Sequence, residues 1–154
     1  SKEKEMIKRI SFDVCGTLAA HQDIFLLTLP WFRQQDISVF VIGGPRAVDS
    51  SSILSSKGYQ RGVHYDAIYS VMDFLSDNFY PIKWDQEKNG FYAKYEGDWW
   101  SAKAKMCDKY KIVTHVDNDI RFAKAFYKTA TRFVSFDGVT VREFYKIARK
   151  IHSA

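Results

Sequence analysis

The regular alternation of short apolar segments with longer amphipathic segments constrains this fold more than any other sequence feature. The apolar segments are rich in β-branched residues, as in ISVFVI at 37–42, and segments of helical periodicity follow them. Strands that are apolar along their whole length are typical of a parallel sheet covered on both faces. The alternation therefore predicts one Rossmann-like α/β domain over residues 1–154 with a mainly parallel sheet. We expect its strands near 7–13, 37–42, 67–71, 112–116 and 131–135.

Helices are expected between these strands, with one small insertion. The predicted helices cover 23–35, 47–57, 72–78, 98–110, 119–128 and 139–152. Pro30 is expected to bend the first helix, and Asp98 is the expected N-cap of the fourth. Residues 82–95 differ, because two short segments there flank Asn89 and Gly90, and Asn-Gly is a strong hairpin-turn signal. We expect a β-hairpin at 82–95, outside the main sheet.

The composition excludes several classes of protein. A chain of 154 residues with 46% hydrophobic content can bury a core without a disulfide or a zinc site, and Cys15 and Cys107 form no cysteine framework. No apolar stretch reaches about 18 residues, and the charged start does not resemble a signal peptide. We therefore expect a cytoplasmic protein with no membrane segment. The histidines show no metal-ligand spacing, and His115, inside a predicted strand, is expected to be structural.

Positive charge is concentrated in the last third of the chain. The net charge is +5, and residues 101–154 carry 12 Lys and Arg against 5 Asp and Glu. One interpretation is an anionic partner, either a phosphate ester or, with weaker support, a nucleic acid. The other is that these side chains only solvate the outer faces of helices.

Acidic residues follow two of the predicted strands. Ligands of open α/β sheets bind outside the carboxyl ends of the strands, so residues at these ends are functional candidates. Asp13 follows the first strand and Asp117 follows the fourth. If these strands are neighbours, the two carboxylates converge and repel each other unless a cation lies between them. Hard oxygen ligands of this kind suit Mg²⁺, and a nearby lysine would balance the charge of a bound phosphate.

The order of these segments resembles the haloacid dehalogenase (HAD) superfamily of phosphohydrolases and phosphotransferases. ISFDVCGTL, residues 10–18, is similar to its first motif, in which an apolar strand leads into two alternate aspartates and Gly-Thr. VFVIGGPR at 39–46 and KIVTHVDND at 111–119 are similar to the second and fourth motifs. Lys103 is the first candidate for the lysine of the third motif, and Lys105 is the second. The resemblance covers about residues 7–150.

The resemblance implies a role for each matching residue. Asp13 would attack phosphorus and form an aspartyl-phosphate, and Lys103 would screen the charge between Asp13 and the phosphate. Asp13, the main-chain carbonyl of Cys15, Asp117 and Asn118 would form the Mg²⁺ site. A second group of residues would bind the phosphate: Gly16, Thr17, Gly43, Gly44 and Arg46.

Two departures from the HAD pattern bear on activity. Cys15 stands where the second aspartate of the first motif acts as general acid and base, and a thiol with a reference pKa of about 8.5 is a poor substitute. Gly43 stands where a Thr or Ser hydroxyl binds phosphate. These departures leave two hypotheses. The chain is either a slow Mg²⁺-dependent phosphohydrolase or a catalytically impaired HAD-like module that binds a protein or a nucleic acid.

The chain has no room for a large cap domain, and the 82–95 hairpin is the only candidate for a lid. A site with little cap is open, which suits a phosphorylated substrate that is itself a macromolecule.

The same residues also have structural interpretations. Asp13 could be a turn residue, and Asp119 could cap the following helix. Cys15 could be a small buried side chain, and Lys103 could be solvated on its helix. Trp99 could pack against the core rather than stack on a substrate ring.

Overall fold

A computed structural model describes residues 8–137 and 141–153 and contains one parallel five-stranded sheet. The strands in chain order are β1 (Arg9–Phe12), β2 (Ser38–Gly43), β3 (Ala67–Ser70), β4 (Ile82–Asp85), β5 (Gly90–Ala93), β6 (Thr114–Asp117) and β7 (Arg132–Ser135). The main sheet has the order β3-β2-β1-β6-β7, and all its neighbouring strands pair in parallel. The α/β fold expected from the alternation is therefore confirmed.

Helices cover both faces of this sheet. They are α1 (Gln22–Gln34), α2 (Ala47–Ser56), α3 (Val71–Asp77), α4 (Glu96–Lys109) and α5 (Val141–Ser153). A helical turn over Val14–Leu18 follows β1, and a 3-10 helix over Ile120–Phe126 follows β6. No helix in the described part of the chain is long and apolar enough to cross a membrane.

The apolar core has two parts, one on each face of the sheet. On one face, Phe12 of β1 packs among α1 and α5 residues such as Phe25 and Phe144. On the other face, α3, α4 and the 3-10 helix enclose a second cluster that includes Leu75 and Phe122. Each fully buried side chain of this size contributes about 1.5–3 kcal/mol, so both faces hold β1 and β6 firmly in place.

Several element boundaries differ from the sequence prediction. Helix α4 begins at Glu96, so Asp98 lies in its first turn and Tyr95 is the N-cap. Helix α1 continues through Pro30. The segment predicted as a helix at 119–128 is the shorter 3-10 helix, and Asp119 caps it by accepting a hydrogen bond from the Arg121 N–H at 3.1 Å. Residue 7 of the first predicted strand and residues 139–140 of the last predicted helix lie outside the described residues.

The predicted hairpin is present as β4 and β5, which pair antiparallel apart from the main sheet. Its turn is longer than the two-residue turn expected at Asn89 and Gly90, because it spans 86–89 and Gly90 opens β5 opposite Asp85. The Asp85 carboxylate accepts hydrogen bonds from the N–H groups of Glu87 and Lys88 at 3.0 and 3.3 Å, which stabilises this wider turn. Asn89 takes the left-handed conformation, with φ at 50°.

Candidate functional site

The sheet topology brings the two predicted strand-end aspartates together. Strands β1 and β6 are direct neighbours, with Phe12 opposite Val116. Asp13 follows β1, and its N–H donates to the Val116 carbonyl at 2.9 Å. Asp117 is the last residue of β6. Both carboxylates therefore lie at the same carboxyl edge, in the middle of the sheet.

Lys103 joins the two carboxylates. Its ammonium group donates to Asp13 Oδ1 and to Asp117 Oδ2, each at 2.7 Å, and the Lys103 side chain is 1% exposed. Lys103 lies on the buried face of α4, and its Nζ is 4.3 Å from the centre of the Phe122 ring. Lys105 points elsewhere and donates to the Tyr80 hydroxyl at 3.0 Å. Of the two candidate lysines, Lys103 therefore faces the site.

Burial and charge determine the ionisation of this cluster. Burial alone would lower the pKa of Lys103, but the two carboxylates raise it above its usual value. Burial also raises the pKa of Asp117, yet Lys103 and His115 outweigh it and hold that pKa at about 2. Burial is the main cause that raises the pKa of Asp13, and the Asp117 charge adds to it while Lys103 opposes it. Lys103 is therefore a charged cation between the two acidic groups.

A buried histidine that sequence analysis treated as structural belongs to this cluster. His115 Nε2 lies 2.9 Å from Asp117 Oδ2, and Nδ1 lies 2.7 Å from Ser11 Oγ. Burial lowers the pKa of His115, so the neutral ring donates from Nε2 and accepts from the Ser11 hydroxyl. The Asp119 N–H donates to Asp117 Oδ1 at 2.9 Å. Because His115 and Asp117 are two residues apart on one strand, their side chains lie on the same face of the sheet. This spacing in the sequence is a signal that places His115 beside Asp117.

The predicted Gly-Thr turn supports the other side of Asp13. The Thr17 hydroxyl donates to Asp13 Oδ2 at 3.3 Å and accepts from the Asn118 N–H at 3.1 Å. Gly16 has φ at 81°, and a Cβ there would overlap the Asn118 side chain. Glycine is required at this position for both reasons. Thr17 is buried and bonded within the protein, so it positions Asp13 and Asn118 rather than presenting its hydroxyl to the cleft.

Three oxygen-bearing groups meet at one point: the Asp13 carboxylate, the Cys15 carbonyl and the Asn118 amide. With its nitrogen turned inward, the Asn118 amide donates to Asp13 Oδ2 and to the Cys15 carbonyl, each at 2.9 Å. A half-turn of the amide places its oxygen at the same point. Adjacent oxygens of an octahedral Mg²⁺ site, each about 2.0–2.1 Å from the ion, are about 2.9 Å apart. The donor set of carboxylate, carbonyl and amide oxygens therefore fits Mg²⁺.

This candidate metal set differs from the predicted one in the role of Asp117. Both Asp117 oxygens already accept hydrogen bonds, from Lys103 and His115 on one side and from the Asp119 N–H on the other. Among residues 8–137 and 141–153, no group of three His, Cys, Asp or Glu side chains could hold a metal ion. The candidate set relies instead on the Asn118 amide and the Cys15 carbonyl, together with Asp13.

The Cys15 side chain is exposed and lines the cleft above Asp13. Partial withdrawal from water is the main cause that raises the pKa of its thiol, and the neighbouring Asp13 charge adds to it. The thiol therefore stays protonated at neutral pH. It can donate a proton weakly, but it is neither a ready base nor an activated nucleophile.

Close packing explains why glycine stands at positions 43 and 44, at the end of β2. A Cβ on Gly43 would lie 2.9 Å from the Ser50 hydroxyl and from a Val14 methyl group. A Cβ on Gly44 would lie 3.0 Å from the Trp99 ring. A side chain carrying a hydroxyl does not fit at position 43 without movement of its neighbours, and of these two glycines only Gly44 lines the cleft.

The predicted phosphate ligand Arg46 points away from Asp13. Its Nη1 lies 3.2 Å from Asp73 Oδ1, and the Asp73 carboxylate also accepts from the Ala47 N–H at 2.8 Å. Arg46 lines a neighbouring pocket rather than the cleft above Asp13.

A cleft of about 480 Å³ opens above the cluster. Asp13, Cys15, Lys103, Asp117 and Asn118 lie at its base. The hairpin and the start of α4 form its walls, which carry lysines and aromatic rings together with two acidic side chains; the wall residues include Lys83, Lys88, Tyr92, Lys94, Trp99, Trp100, Asp85 and Glu96. The hairpin is therefore the element that covers the site, as a small lid would.

Comparison with known proteins shows the fold and no more. No protein-family model and no curated protein matches the chain. Among solved structures, it is similar to an uncharacterized protein from Corynebacterium glutamicum ATCC 13032 Kitasato, whose crystal structure has a resolution of 1.44 Å. The two share 11% sequence identity over 96% of each chain, with a TM-score of 0.59. At this identity, the likeness shows that the α/β architecture occurs in another protein.

Proposed function

We propose that this chain is a slow, Mg²⁺-dependent phosphohydrolase of HAD type that cleaves a phosphate monoester with Asp13 as its nucleophile. The observation that carries the proposal is the position of Lys103, a buried cation bonded to both Asp13 and Asp117 at the base of a cleft. Burying an ammonium group is unfavourable unless its partners compensate, and three charges at the carboxyl edge of a parallel sheet are typical of a site for chemistry.

The metal site would consist of the Asp13 carboxylate, the Cys15 carbonyl and the Asn118 amide oxygen. Bound there, Mg²⁺ would neutralise the phosphoryl oxygens and orient the phosphate for in-line attack.

The residues of the chain would then carry out two steps. Asp13 Oδ2 belongs to the oxygen group, so Oδ1, beside the Lys103 ammonium, is the attacking atom. It forms a bond to phosphorus while the bond to the leaving-group oxygen breaks, and that oxygen takes a proton from Cys15 or from water. Water then attacks the aspartyl-phosphate, which releases inorganic phosphate and a proton and restores the Asp13 carboxylate. Lys103 stabilises the added negative charge in both steps.

Proton transfer is the weak part of this scheme. Cys15 occupies the position from which the leaving group is protonated, and the raised pKa of its thiol makes it a poor donor. General acid–base assistance is worth about 10²–10⁴-fold in rate, so turnover of substrates with poor leaving groups is reduced by about that factor.

Hydrolysis of an activated aryl phosphate tests the proposal. We expect release of the aryl alcohol by the wild type in Mg²⁺, loss of this activity with excess EDTA, and its absence in Asp13→Asn. Asp108→Asn, an exposed aspartate on α4, is the matched control and should retain full activity. Activity of Asp13→Asn equal to that of the wild type would rule out Asp13 as the nucleophile. Complete inactivity of the wild type at high enzyme concentration would favour the second candidate function.

That second candidate is a non-catalytic HAD-like module that binds a protein or a nucleic acid. The observation that favours it is the packing around Gly43, which leaves no room for the hydroxyl that the HAD pattern has there. A module of this kind would bind its partner with the same affinity in the wild type and in Asp13→Asn, and it would release no phosphate from any ester.

A further inference from the structure

We propose that the phosphate ester accepted by this cleft is a nucleoside phosphate, either a free nucleotide or the phosphorylated end of a nucleic acid strand. The inference rests on the proposed function, whose substrate class it specifies. It depends on the walls of the cleft, whereas the proposed chemistry depends on its base.

One face of the hairpin is turned toward the cleft. Side chains alternate between the two faces of a strand, and directly paired residues share a face. Lys83 pairs with Tyr92, and both line the cleft together with Lys94. Trp84 and Phe91 pair on the opposite face, where their rings make an edge contact at 5.2 Å. The hairpin thus presents a basic and aromatic face to the site.

The lysines of this face are available to a ligand. Lys83, Lys88 and Lys94 are exposed, and none of them forms an ion pair with a described acidic side chain. Lys88 Nζ instead lies 4.4 Å from the centre of the Tyr92 ring. Asp85 also lines the cleft, but its carboxylate accepts from two N–H groups of the turn. Exposed lysines in the wall of the cleft attract an anionic ligand such as a nucleotide, and in the case of a strand end they can also contact phosphates beyond the one at Asp13.

The aromatic wall offers flat surfaces that are held in place. The Tyr92 and Trp99 rings are 5.0 Å apart and inclined by 42°, and Trp99 packs closely on Gly44. Trp100 contacts Phe122 at 4.8 Å and has the Arg121 guanidinium 4.3 Å from its ring centre. These rings therefore pack against the protein while they also line the cleft. Nucleobases stack on rings fixed in this way, regardless of their sequence.

The dimensions of the site agree with a ligand larger than a phosphosugar. A second pocket of about 320 Å³ adjoins the cleft, and both are lined by Gly44, Pro45, Lys88, Tyr92 and Trp99. Sites for small molecules usually have volumes of about 300–1,000 Å³, so the cleft alone accommodates a nucleotide. The second pocket leaves space for a base or for a further nucleotide past the Tyr92 and Trp99 rings.

The experiment measures binding separately from catalysis. Quenching of tryptophan fluorescence is titrated in wild-type protein with EDTA and in Asp13→Asn, using adenosine 5′-monophosphate, ribose 5-phosphate and a 5′-phosphorylated tetrathymidylate. We expect the nucleotide to bind about tenfold or more tightly than ribose 5-phosphate, because stacking adds to the phosphate contact. Tighter binding of the tetranucleotide than of the nucleotide would identify a strand end as the source. The opposite order would identify a free nucleotide.

Lysine variants test the contribution of the hairpin. Lys83→Gln with Lys88→Gln should weaken nucleotide binding several-fold and reduce its dependence on salt. Both lysines are exposed, so this variant should fold. Lys57→Gln is the matched control, because Lys57 is exposed at the end of α2 opposite the cleft, and it should bind as the wild type does.

The outcomes separate this inference from the proposed function. Equal affinity for adenosine 5′-monophosphate and ribose 5-phosphate overturns the inference, even if aryl phosphate is hydrolysed. Unchanged affinity in the double lysine variant overturns the role of the hairpin. Tight nucleotide binding without hydrolysis of any ester by the wild type overturns the proposed function and supports the nucleoside phosphate as the ligand.

Discussion

Removal of the Lys103 charge gives the sharpest test of how the site is stabilised. The Lys103 side chain is 1% exposed, and its ammonium is bonded at 2.7 Å to two carboxylates, of which Asp117 is fully buried and Asp13 is 8% exposed. Lys103→Met keeps an unbranched apolar stem and leaves the two like charges buried without their cation. Loss of one partner from a buried ion pair costs about 3–5 kcal/mol of unfolding free energy. Total stability of such a domain is about 5–15 kcal/mol, so the loss is a large fraction of it.

The dependence of this loss on pH identifies its cause. In the wild type, the pKa of Asp117 is held at about 2, below its ordinary value of 3.8, so its contribution to stability is present above pH 3.8 and is lost as pH falls through 2. In Lys103→Met, burial without a cation raises the pKa of Asp117 above its unfolded value, and it raises further the pKa of Asp13, which is already above its ordinary value in the wild type. The loss is then greatest at neutral pH, and it decreases as the pH falls and both groups become protonated.

Urea unfolding at pH 7 and at pH 4.5 provides the measurement, with Lys105→Met as the matched control. Lys105 is two residues away on the same helix, exposed, and bonded only to the Tyr80 hydroxyl among the polar groups described, so its replacement should cost less than about 1 kcal/mol at either pH. A cost for Lys103→Met that matches the control at pH 7, or that is the same at both pH values, would refute the electrostatic account.

Two further predictions concern the turn after β1 and the proposed proton donor. Gly16→Ala should lower the unfolding free energy by more than the control Gly62→Ala does in thermal melts. Both glycines have φ above 80°, but of the two only Gly16 would carry a Cβ that overlaps a neighbour, the Asn118 side chain. Equal losses would contradict the close packing at Gly16. Cys15→Asp should raise alkyl phosphate hydrolysis by up to about 10²–10⁴-fold and aryl phosphate hydrolysis by less, while Asp13→Asn abolishes both. An equal increase for the two ester types would contradict proton donation from this position.

Local features of the sequence predict the fold class and an edge of the sheet that carries both aspartates, whereas their meeting also depends on the sheet order, which makes β1 and β6 neighbours. The alternation of strands and helices predicts a parallel sheet, and in such a sheet all strand ends of one kind lie at one edge. Asp13 and Asp117 were identified because they follow apolar strands. The hairpin at 82–95 was likewise predicted from a local turn signal and two short β-prone segments.

Other features depended on side-chain contacts that the strand, helix and turn patterns do not show. The structure gives the hairpin a four-residue turn because the Asp85 carboxylate binds the turn N–H groups, which the Asn-Gly pair alone does not reveal. Gly43 and Gly44 were interpreted as phosphate-binding positions, yet the side chains of Val14, Ser50 and Trp99 explain why both lack a side chain. The Asp85 bonds span only two and three residues, so their signal is local, whereas the contacts of Gly43 with Val14 and of Gly44 with Trp99 join residues far apart in the sequence.

The sequence by itself determined where the apolar strands end and that Asp13 and Asp117 lie at two of these ends, because strand patterns and turn residues are local properties. The tertiary structure alone decided which lysine is charged and buried at the site. Lys103 and Lys105 lie on the same helix, and their environments differ because packing of α4 against the sheet buries the Lys103 side of the helix among apolar side chains. Orientation of that helix, rather than any motif, brings the Lys103 ammonium between Asp13 and Asp117 and leaves the Lys105 ammonium at the surface beside Tyr80.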